Sequence, residues 1–386
     1  MSRSRVKFPD NKPSEDEAAF LRDEDEVEAE QEEEDADLIT EPFDPAKIRV
    51  TPWEPTVELL MKRIQNKEID LGPAFQRRGG IWSDGAQSRL IESLLIRIPL
   101  PSFYMDATDE DKLLVIDGQQ RLTALKRFMV DKSLRLEGLE FLRLKGKSFD
   151  ELPRKMQRRI EETQVNVFLI EKGTPSGVKF NIFKRINTGG MQMSPQEIRH
   201  AMNEGPALEF IRALAESPEF LKATNSSVLA ERMADRECVL RFCAFATTEI
   251  DKYTSKDLDP FLNEKMGEIN RMSQAERTKL SKRFKRAMVS AGDLFGPSAF
   301  RKQINPEKGR NPFNKALFEA WSVNLDRLSD GEIGLIVKRR NAVFTEFTKL
   351  MKDPEFEVSV TAGTGSPPKV RRRFDGIKEL LIRVLS

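Results

Sequence analysis

The sequence is poor in the residues from which many catalytic and metal centres are built. Its 386 residues include one histidine, His200, and two cysteines, Cys238 and Cys243. Zinc hydrolases, Ser-His-Asp hydrolases and histidine-dependent nucleases all need histidine at a defined position, and structural zinc sites need several Cys or His ligands. A metal site in this chain is therefore expected to hold a hard ion such as Mg²⁺ through carboxylates.

Long apolar runs are missing as well. No stretch is long enough to predict a membrane span, and the N-terminus lacks the apolar segment of a signal peptide. Two cysteines cannot form a disulfide framework, and they are expected to be core residues of a helix. These features predict a cytoplasmic protein with no membrane partner.

The net charge of +1 conceals an uneven distribution. Residues 15–37 contain 14 acidic residues and one basic residue, Arg22, so this segment carries −13 and the remainder carries +14. Residues 1–48 also lack apolar periodicity, which predicts a disordered acidic tail. The tail is interpreted as solubilising, and the alternative is a nucleic-acid mimic that competes for the basic remainder.

Hydrophobic periodicity divides the rest of the chain into two parts. Short apolar segments predict strands at 102–105, 113–116 and 164–170, and a β-hairpin at 134–144. Helical spacing predicts helices at 56–67, 84–97, 119–130, 153–163 and 175–186.

A strong helix start follows, because Ser194 and Glu197 form a capping box and Pro195 occupies the first helical position. Helices are predicted from there onward. The predicted fold class is α+β, with a small mixed sheet followed by a mostly helical C-terminal domain. The predicted domains are 1–48, 49–193 and 194–386.

The segment LLVIDGQQRLTAL (residues 113–125) places a polar turn between a strand and a helix. Free backbone N–H groups at a helix start bind phosphate well, and Gly118 allows a ligand to approach the backbone. Arg121 supplies a forked positive charge for phosphate oxygens, and Asp117 could hold Mg²⁺ or a ribose hydroxyl. Two amides can donate to phosphate, to a base edge or to an attacking water: Gln119 and Gln120.

The alternative for this segment is a structural turn in which Arg121 forms a salt bridge, and the pattern alone leaves both open. The chain contains no P-loop of the form G-x-x-x-x-G-K-[ST]. In AFQRRGGIW (residues 74–82), Trp82 is interpreted as a core residue, with stacking on a base as the alternative. NTGG (187–190) either ends a helix or lines the same pocket.

The basic cluster KVRRR, residues 369–373, fits an electrostatic nucleic-acid surface or a solvated helix face. Its candidate DNA-binding residues are Arg371, Arg372 and Arg373.

Taken in order, these polar segments resemble the DGQQR-motif proteins, the domain-of-unknown-function 262 family. That domain also forms the N-terminal part of GmrSD-type, modification-dependent restriction enzymes. VIDGQQRLTAL is similar to the family signature, and FQR (75–77) with Trp82 is similar to its upstream element. FKRINTGGMQMSPQEIR (183–199) resembles the downstream element. The resemblance runs from about residue 52 to the C-terminus.

The resemblance implies a fold similar to ParB and sulfiredoxin at the N-terminal end. It also implies binding and hydrolysis of nucleoside triphosphates, which regulates DNA cutting in defence against phage. The implied catalytic residues are Asp117, Gln119, Gln120 and Arg121, with Asp117 holding Mg²⁺. The implied nucleotide-binding residues are Gly118, Gln76, Arg77, Asn187, Thr188 and Gly189.

One departure separates this sequence from GmrSD-type enzymes, which carry a second nuclease domain with an HNH or H-x-x-P histidine. The single histidine here, His200, lies within the DGQQR-type region. We therefore expect a stand-alone member that couples nucleotide state to DNA recognition or to a partner nuclease or effector. The alternatives are a ParB-like, Mg²⁺-dependent DNA nickase and a non-enzymatic DNA-binding module, and an oligomer is compatible with each.

Overall fold

A computed structural model describes residues 27–28, 48–71, 82–109, 111–186, 193–302 and 311–386. The chain divides into two compact units. The N-terminal unit comprises residues 39–204, and the helical unit comprises residues 205–386 together with 1–38. The sequence had placed this division at 193/194. The predicted disorder of the tail lies outside the described residues except at Val27 and Glu28.

A mixed five-stranded sheet forms the centre of the N-terminal unit. Its order is β1-β5-β3-β4-β2, in which β5 and β3 pair in parallel, as do β4 and β2, and the other neighbours are antiparallel. The arrangement confirms the α+β class with a small mixed sheet. The strands are β1 (Val50–Trp53), β2 (Ile69–Asp70), β3 (Phe103–Ala107), β4 (Leu113–Asp117) and β5 (Val167–Glu171).

Helices cover both faces of this sheet. The helices are α1 (Val57–Gln65), α2 (Asp84–Leu95), α3 (Gln119–Met129), α4 (Arg154–Glu161), α5 (Ser176–Ile186) and α6 (Pro195–Met202). Strand side chains point alternately to the two faces, and each face has its own apolar cluster. Val167 belongs to the cluster that includes α1 to α4, and Ile170 to the one that includes α5 and α6.

The predicted helix starts are confirmed by their side-chain caps. Ser83 accepts a hydrogen bond from the N–H of Ala86 at the start of α2. Ser194 and Glu197 form the predicted capping box at the start of α6, with Pro195 in the first turn. These caps satisfy backbone donors that the helix itself cannot pair, which is why local sequence was enough to locate both starts.

The predicted β-hairpin at 134–144 is wrong. The segment contains no strand. Leu136 bonds the backbone of Gly146 and Lys147, whereas residues 140–142 are held by helix α2. The carboxylate of Glu92 on α2 accepts three consecutive backbone N–H groups at 2.7–2.9 Å, from Glu140, Phe141 and Leu142. At residues 140–142, a buried side chain therefore supplies the acceptors that a partner strand would have supplied.

The helical unit has one large apolar core. Cys238 and Cys243 are fully buried in it, which confirms them as core residues. Across the described residues, no helix is long and apolar enough to cross a membrane. Its helices are α7 (Pro206–Ala215), α8 (Pro218–Thr224), α9 (Ala234–Ala246), α10 (Leu258–Arg271), α11 (Gln274–Phe295), α12 (Lys315–Asp326), α13 (Asp330–Lys338), α14 (Arg340–Leu350), α15 (Pro354–Ser359) and α16 (Pro367–Leu385).

We expect Glu92→Gln to lower the free energy of unfolding by about 1–3 kcal/mol at pH 7, because the amide cannot accept all three N–H groups. Burial raises the pKa of Glu92, but the three backbone hydrogen bonds and the charge of Arg89 together hold this pKa below its ordinary value. A lowered folded pKa stabilises the protein above pH 4.5, and this stabilisation is lost as pH falls through the folded value.

Urea unfolding at neutral and acidic pH checks this expectation. The difference between wild type and Glu92→Gln should shrink below pH 4.5. Glu54→Gln is the matched control, since Glu54 is exposed in the same unit. Equal stability of the two variants at pH 7 would show that the Glu92 carboxylate does not hold the 140–142 backbone.

Candidate functional site

The polar turn after β4 leads into helix α3 without a side-chain cap. Gly118 is the N-cap of α3, and it offers no side chain to cap the helix. The N–H of Leu122 is the first to find its helical acceptor, the carbonyl of Gly118, at 2.9 Å. The amides before it, those of residues 119–121, lie at the positive end of the helix dipole, where anions bind favourably.

Two features favour glycine at position 118: the backbone conformation and the nearby ring of Phe103. The φ of Gly118, +97°, lies in the left-handed region, and a Cβ at this position would overlap the ring of Phe103. The side chain of Phe103 fills the space that a Cβ would take. The close approach of a ligand to the backbone of Gly118 stays a prediction.

Arg121 is buried and its guanidinium is used within the protein. It donates to the carbonyl oxygens of Pro101 and Ser102 and, at 2.7 Å, to Oδ2 of Asp117. The guanidinium carbon also lies 4.5 Å from the ring centroid of Phe103. Burial lowers the pKa of Arg121, and the charge of Asp117 opposes that shift. These contacts match the alternative of a structural salt bridge, and the predicted contact of Arg121 with phosphate stays a prediction.

Trp82 connects the second polar segment to this turn. Its backbone N–H lies 3.4 Å from Oε1 of Gln120, and its carbonyl accepts a hydrogen bond from the buried amide of Gln87. The interpretation of Trp82 as a core residue is wrong, because 36% of the residue is exposed. An exposed indole can stack on a ligand, and its backbone is bonded to Gln120 of the polar turn. Gln76 and Arg77, predicted to bind nucleotide, lie outside the described residues.

The third polar segment follows α5, and its predicted site residues also lie outside the described residues: Asn187, Thr188 and Gly189. The helices on either side of it are described. Phe180 and Phe183 of α5 and Ile198 of α6 pack in one cluster that also receives Ile116, the residue before Asp117. The helices that flank this segment are therefore anchored to the strand that carries the polar turn.

Sequence reasoning missed a buried ion pair between α5 and β3, formed by Lys179 and Asp106. Lys179 of α5 is 7% exposed and lies 3.2 Å from the carboxylate of Asp106 on β3. The ammonium also contacts Oγ1 of Thr108. A lysine between Val178 and Phe180 on an apolar helix was the available signal, since a lysine is rarely buried without a partner.

Asp117 is the candidate metal ligand. Its Oδ2 receives Arg121, and its side chain is 26% exposed. Within the described ranges, no group of three or more His, Cys, Asp or Glu residues could hold a metal ion. Mg²⁺ commonly binds through one or two carboxylates together with phosphate oxygens and water, so a single aspartate fits a metal that arrives with a nucleotide.

One family of known proteins matches this part of the chain. The family described as GmrSD restriction endonuclease, N-terminal domain, matches residues 57–203. Residues 57–203 are a GmrSD-type N-terminal domain. The matched segment begins with α1, ends just after α6 and contains the whole polar turn. No curated protein and no solved structure matches the chain, so the likeness to ParB and sulfiredoxin stays a prediction.

Outside the GmrSD-type domain, the three predicted DNA-binding arginines lie in three different environments on α16. Arg371 is exposed, whereas Arg372 forms an ion pair with Asp353. Arg373 is completely buried and pairs with Glu319. The prediction of a DNA contact by Arg373 is therefore withdrawn, because a phosphate cannot reach a side chain that has no exposed surface.

Glu319 is the centre of a buried ionic network. It pairs with Arg373 and with Arg241, and Arg241 also pairs with Glu237 at 2.7 Å. Arg373 donates further to the carbonyl of Thr364 at 2.7 Å. The network therefore joins α9, α12 and α16, and the positive charge of Arg373 serves the core.

We expect Gly118→Ala to lower the free energy of unfolding by about 2–4 kcal/mol, because the new methyl group meets both a left-handed backbone and the Phe103 ring. Gly85→Ala is the matched control. Its Cβ meets neighbours only at ordinary contact distances of 3.6 Å or more. Thermal or urea unfolding measures both, and equal stability of the two variants would contradict the packing described for Gly118.

Arg373→Met is expected to cost about 3–5 kcal/mol of stability, because it leaves the carboxylate of Glu319 buried with only one of its two cationic partners. Arg371→Met removes the same charge from an exposed position, and its cost should stay within about 0.5 kcal/mol. Urea unfolding of both variants is the measurement. Similar values for the two would refute the buried network.

Proposed function

We propose that this protein is a component of a restriction-type defence system that binds and hydrolyses nucleoside triphosphates in its GmrSD-type domain. Nucleotide state would then control DNA recognition or a partner effector. The observation that supports this most directly is the helix start at 119–121, which follows β4 without a side-chain cap and lies beside Trp82. The match to a restriction endonuclease domain over residues 57–203 gives the biological setting.

In this proposal the phosphates bind at the start of α3. The backbone N–H groups of residues 119–121 and the positive end of the helix dipole supply the attraction. Gln119 and Gln120 are half-buried, and their amides supply further donors for phosphate oxygens or for the attacking water. Trp82 is the candidate surface for the base, since its backbone already contacts Gln120.

Mg²⁺ would bind through Asp117 and the oxygens of the phosphates. Arg121 does not contact phosphate in this arrangement. It acts as a positioning residue, because its ion pair with Oδ2 orients the carboxylate of Asp117. Hydrolysis would then depend on orientation of water and on electrostatic stabilisation of the transferring phosphoryl group.

The first test is phosphate release from ATP, GTP, CTP and UTP with Mg²⁺. We expect Gln119→Ala, Gln120→Ala and Asp117→Asn each to lower turnover by about 10²-fold, the usual effect of removing one transition-state contact. Gln65→Ala, an exposed glutamine on α1 of the same domain, should leave turnover unchanged. Full activity in all three site variants would contradict the assignment.

Arg121→Ala is informative only together with an unfolding measurement. Loss of turnover in this variant is expected with loss of stability, because the buried contacts of Arg121 support the turn. Incubation of plasmid DNA with Mg²⁺ and no nucleotide distinguishes the nickase alternative. Nicking that is lost in Asp117→Asn, without any nucleotide turnover, would replace the proposal with that alternative.

A further inference from the structure

Two residues of the acidic N-terminal segment lie against the helical unit. Val27 forms a parallel bridge with Phe313 and packs against the apolar core of this unit. The N–H of Glu28 donates to the carbonyl of Phe313 at 2.8 Å. The contact therefore combines an apolar anchor with a backbone hydrogen bond, and it lies entirely outside the GmrSD-type domain.

The carboxylate of Glu28 is held by two side chains. Asn314 Nδ2 donates to Oε2 at 2.9 Å, and the ammonium of Lys302 pairs with Oε1. Lys302 also donates to Oγ1 of Thr361 at 3.1 Å. The side chains of Glu28 and Lys302 are only 24% and 21% exposed, so solvent screens this ion pair less than it screens an ordinary surface pair.

The buried side-chain amide of Asn314 uses the carboxylate of Glu28 as a hydrogen-bond acceptor. The residue is 2% exposed, and its Oδ1 caps α12 by accepting the N–H of Leu317 at 2.7 Å. Its Nδ2 group donates both to the carbonyl of Val360 and to Glu28. Without Glu28, a buried amide would lose one of its acceptors, which costs more than an ordinary hydrogen bond gains.

The opposite net charges of the acidic segment and the rest of the chain also favour the Glu28 contact. Glu28 belongs to the segment 15–37, which carries −13, whereas the remainder of the chain carries +14. A nucleic acid presents a dense array of negative charges to the same basic surface. The acidic segment and a nucleic acid are therefore both attracted to the basic remainder of the chain.

We propose that Lys302, Phe313 and Asn314 form a docking site for the acidic N-terminal segment, and that the docked segment competes with nucleic acid for the helical unit. Glu28 is the anchor. Release of Glu28 leaves Lys302 without this carboxylate partner and available to a phosphate of DNA. The site needs no nucleotide, so it can be tested whether or not the protein hydrolyses nucleoside triphosphates.

Docking is tested by hydrogen exchange in the full chain. The Glu28 amide should be protected in the wild type, and exchange of peptides that contain it should be about tenfold faster in Glu28→Gln and in Lys302→Met, the loss expected for one charged hydrogen bond. Glu264→Gln removes one negative charge from an exposed position on α10 and should leave this exchange unchanged. Equal exchange in all four proteins would overturn the docking site.

Competition is tested with a labelled DNA duplex at one fixed salt concentration and without nucleotide. Glu28→Gln should bind DNA up to about tenfold more tightly than wild type, and Glu264→Gln should bind as wild type does. Faster exchange at Glu28 with no gain in affinity over Glu264→Gln would refute the competition. Absence of DNA binding in every variant would refute it too, and neither result bears on phosphate release.

Discussion

The polar turn of the GmrSD-type domain depends on one buried cation, the guanidinium of Arg121. It bonds the carbonyls that precede β3, the carboxylate that ends β4 and the face of Phe103, and it thereby ties two strands to the start of α3. Phe103 in turn fills the space beside Gly118, so that a side chain at this position would meet the ring as well as a left-handed backbone. A buried charge is stable only while all these partners are present, so the turn forms as a unit.

This constraint divides the DGQQR segment into two kinds of residue. Asp117, Gly118 and Arg121 shape the turn, and the two glutamines with the backbone amides of the helix start are what the turn presents. Chemistry proposed for this site therefore relies on backbone donors and amides at a helix N-terminus, where the local field favours phosphate, and on the carboxylate of Asp117 that Arg121 orients. A variant that disturbs Arg121 changes the support of the site before it changes any contact to a ligand.

The helical unit uses its charges differently. Glu319 holds Arg241 and Arg373 in the core and joins segments that are far apart in the chain. Elsewhere in the unit, the partly buried Lys302 and the buried Asn314 bond Glu28 of the acidic segment. Basic residues that look equivalent in the sequence thus pair within the core in one place and with the N-terminal segment in another.

Local sequence was sufficient where local interactions determine the structure. The helix starts at Ser83 and Ser194, the strands around β3 and β4 and the α+β class followed from caps and periodicity, because a capping side chain acts within three residues of itself. The same reasoning identified the polar turn and its two open interpretations.

Tertiary structure decided the features that depend on distant partners. The segment 134–144 became a loop held by Glu92, although its apolar pattern predicted a hairpin, because a carboxylate about fifty residues away satisfied its backbone. Arg121 turned inward and Arg373 became buried because their acceptors come from other elements of the fold. The sequence by itself determined which residues could carry charge and where helices begin, whereas long-range packing determined which of those charges reach solvent.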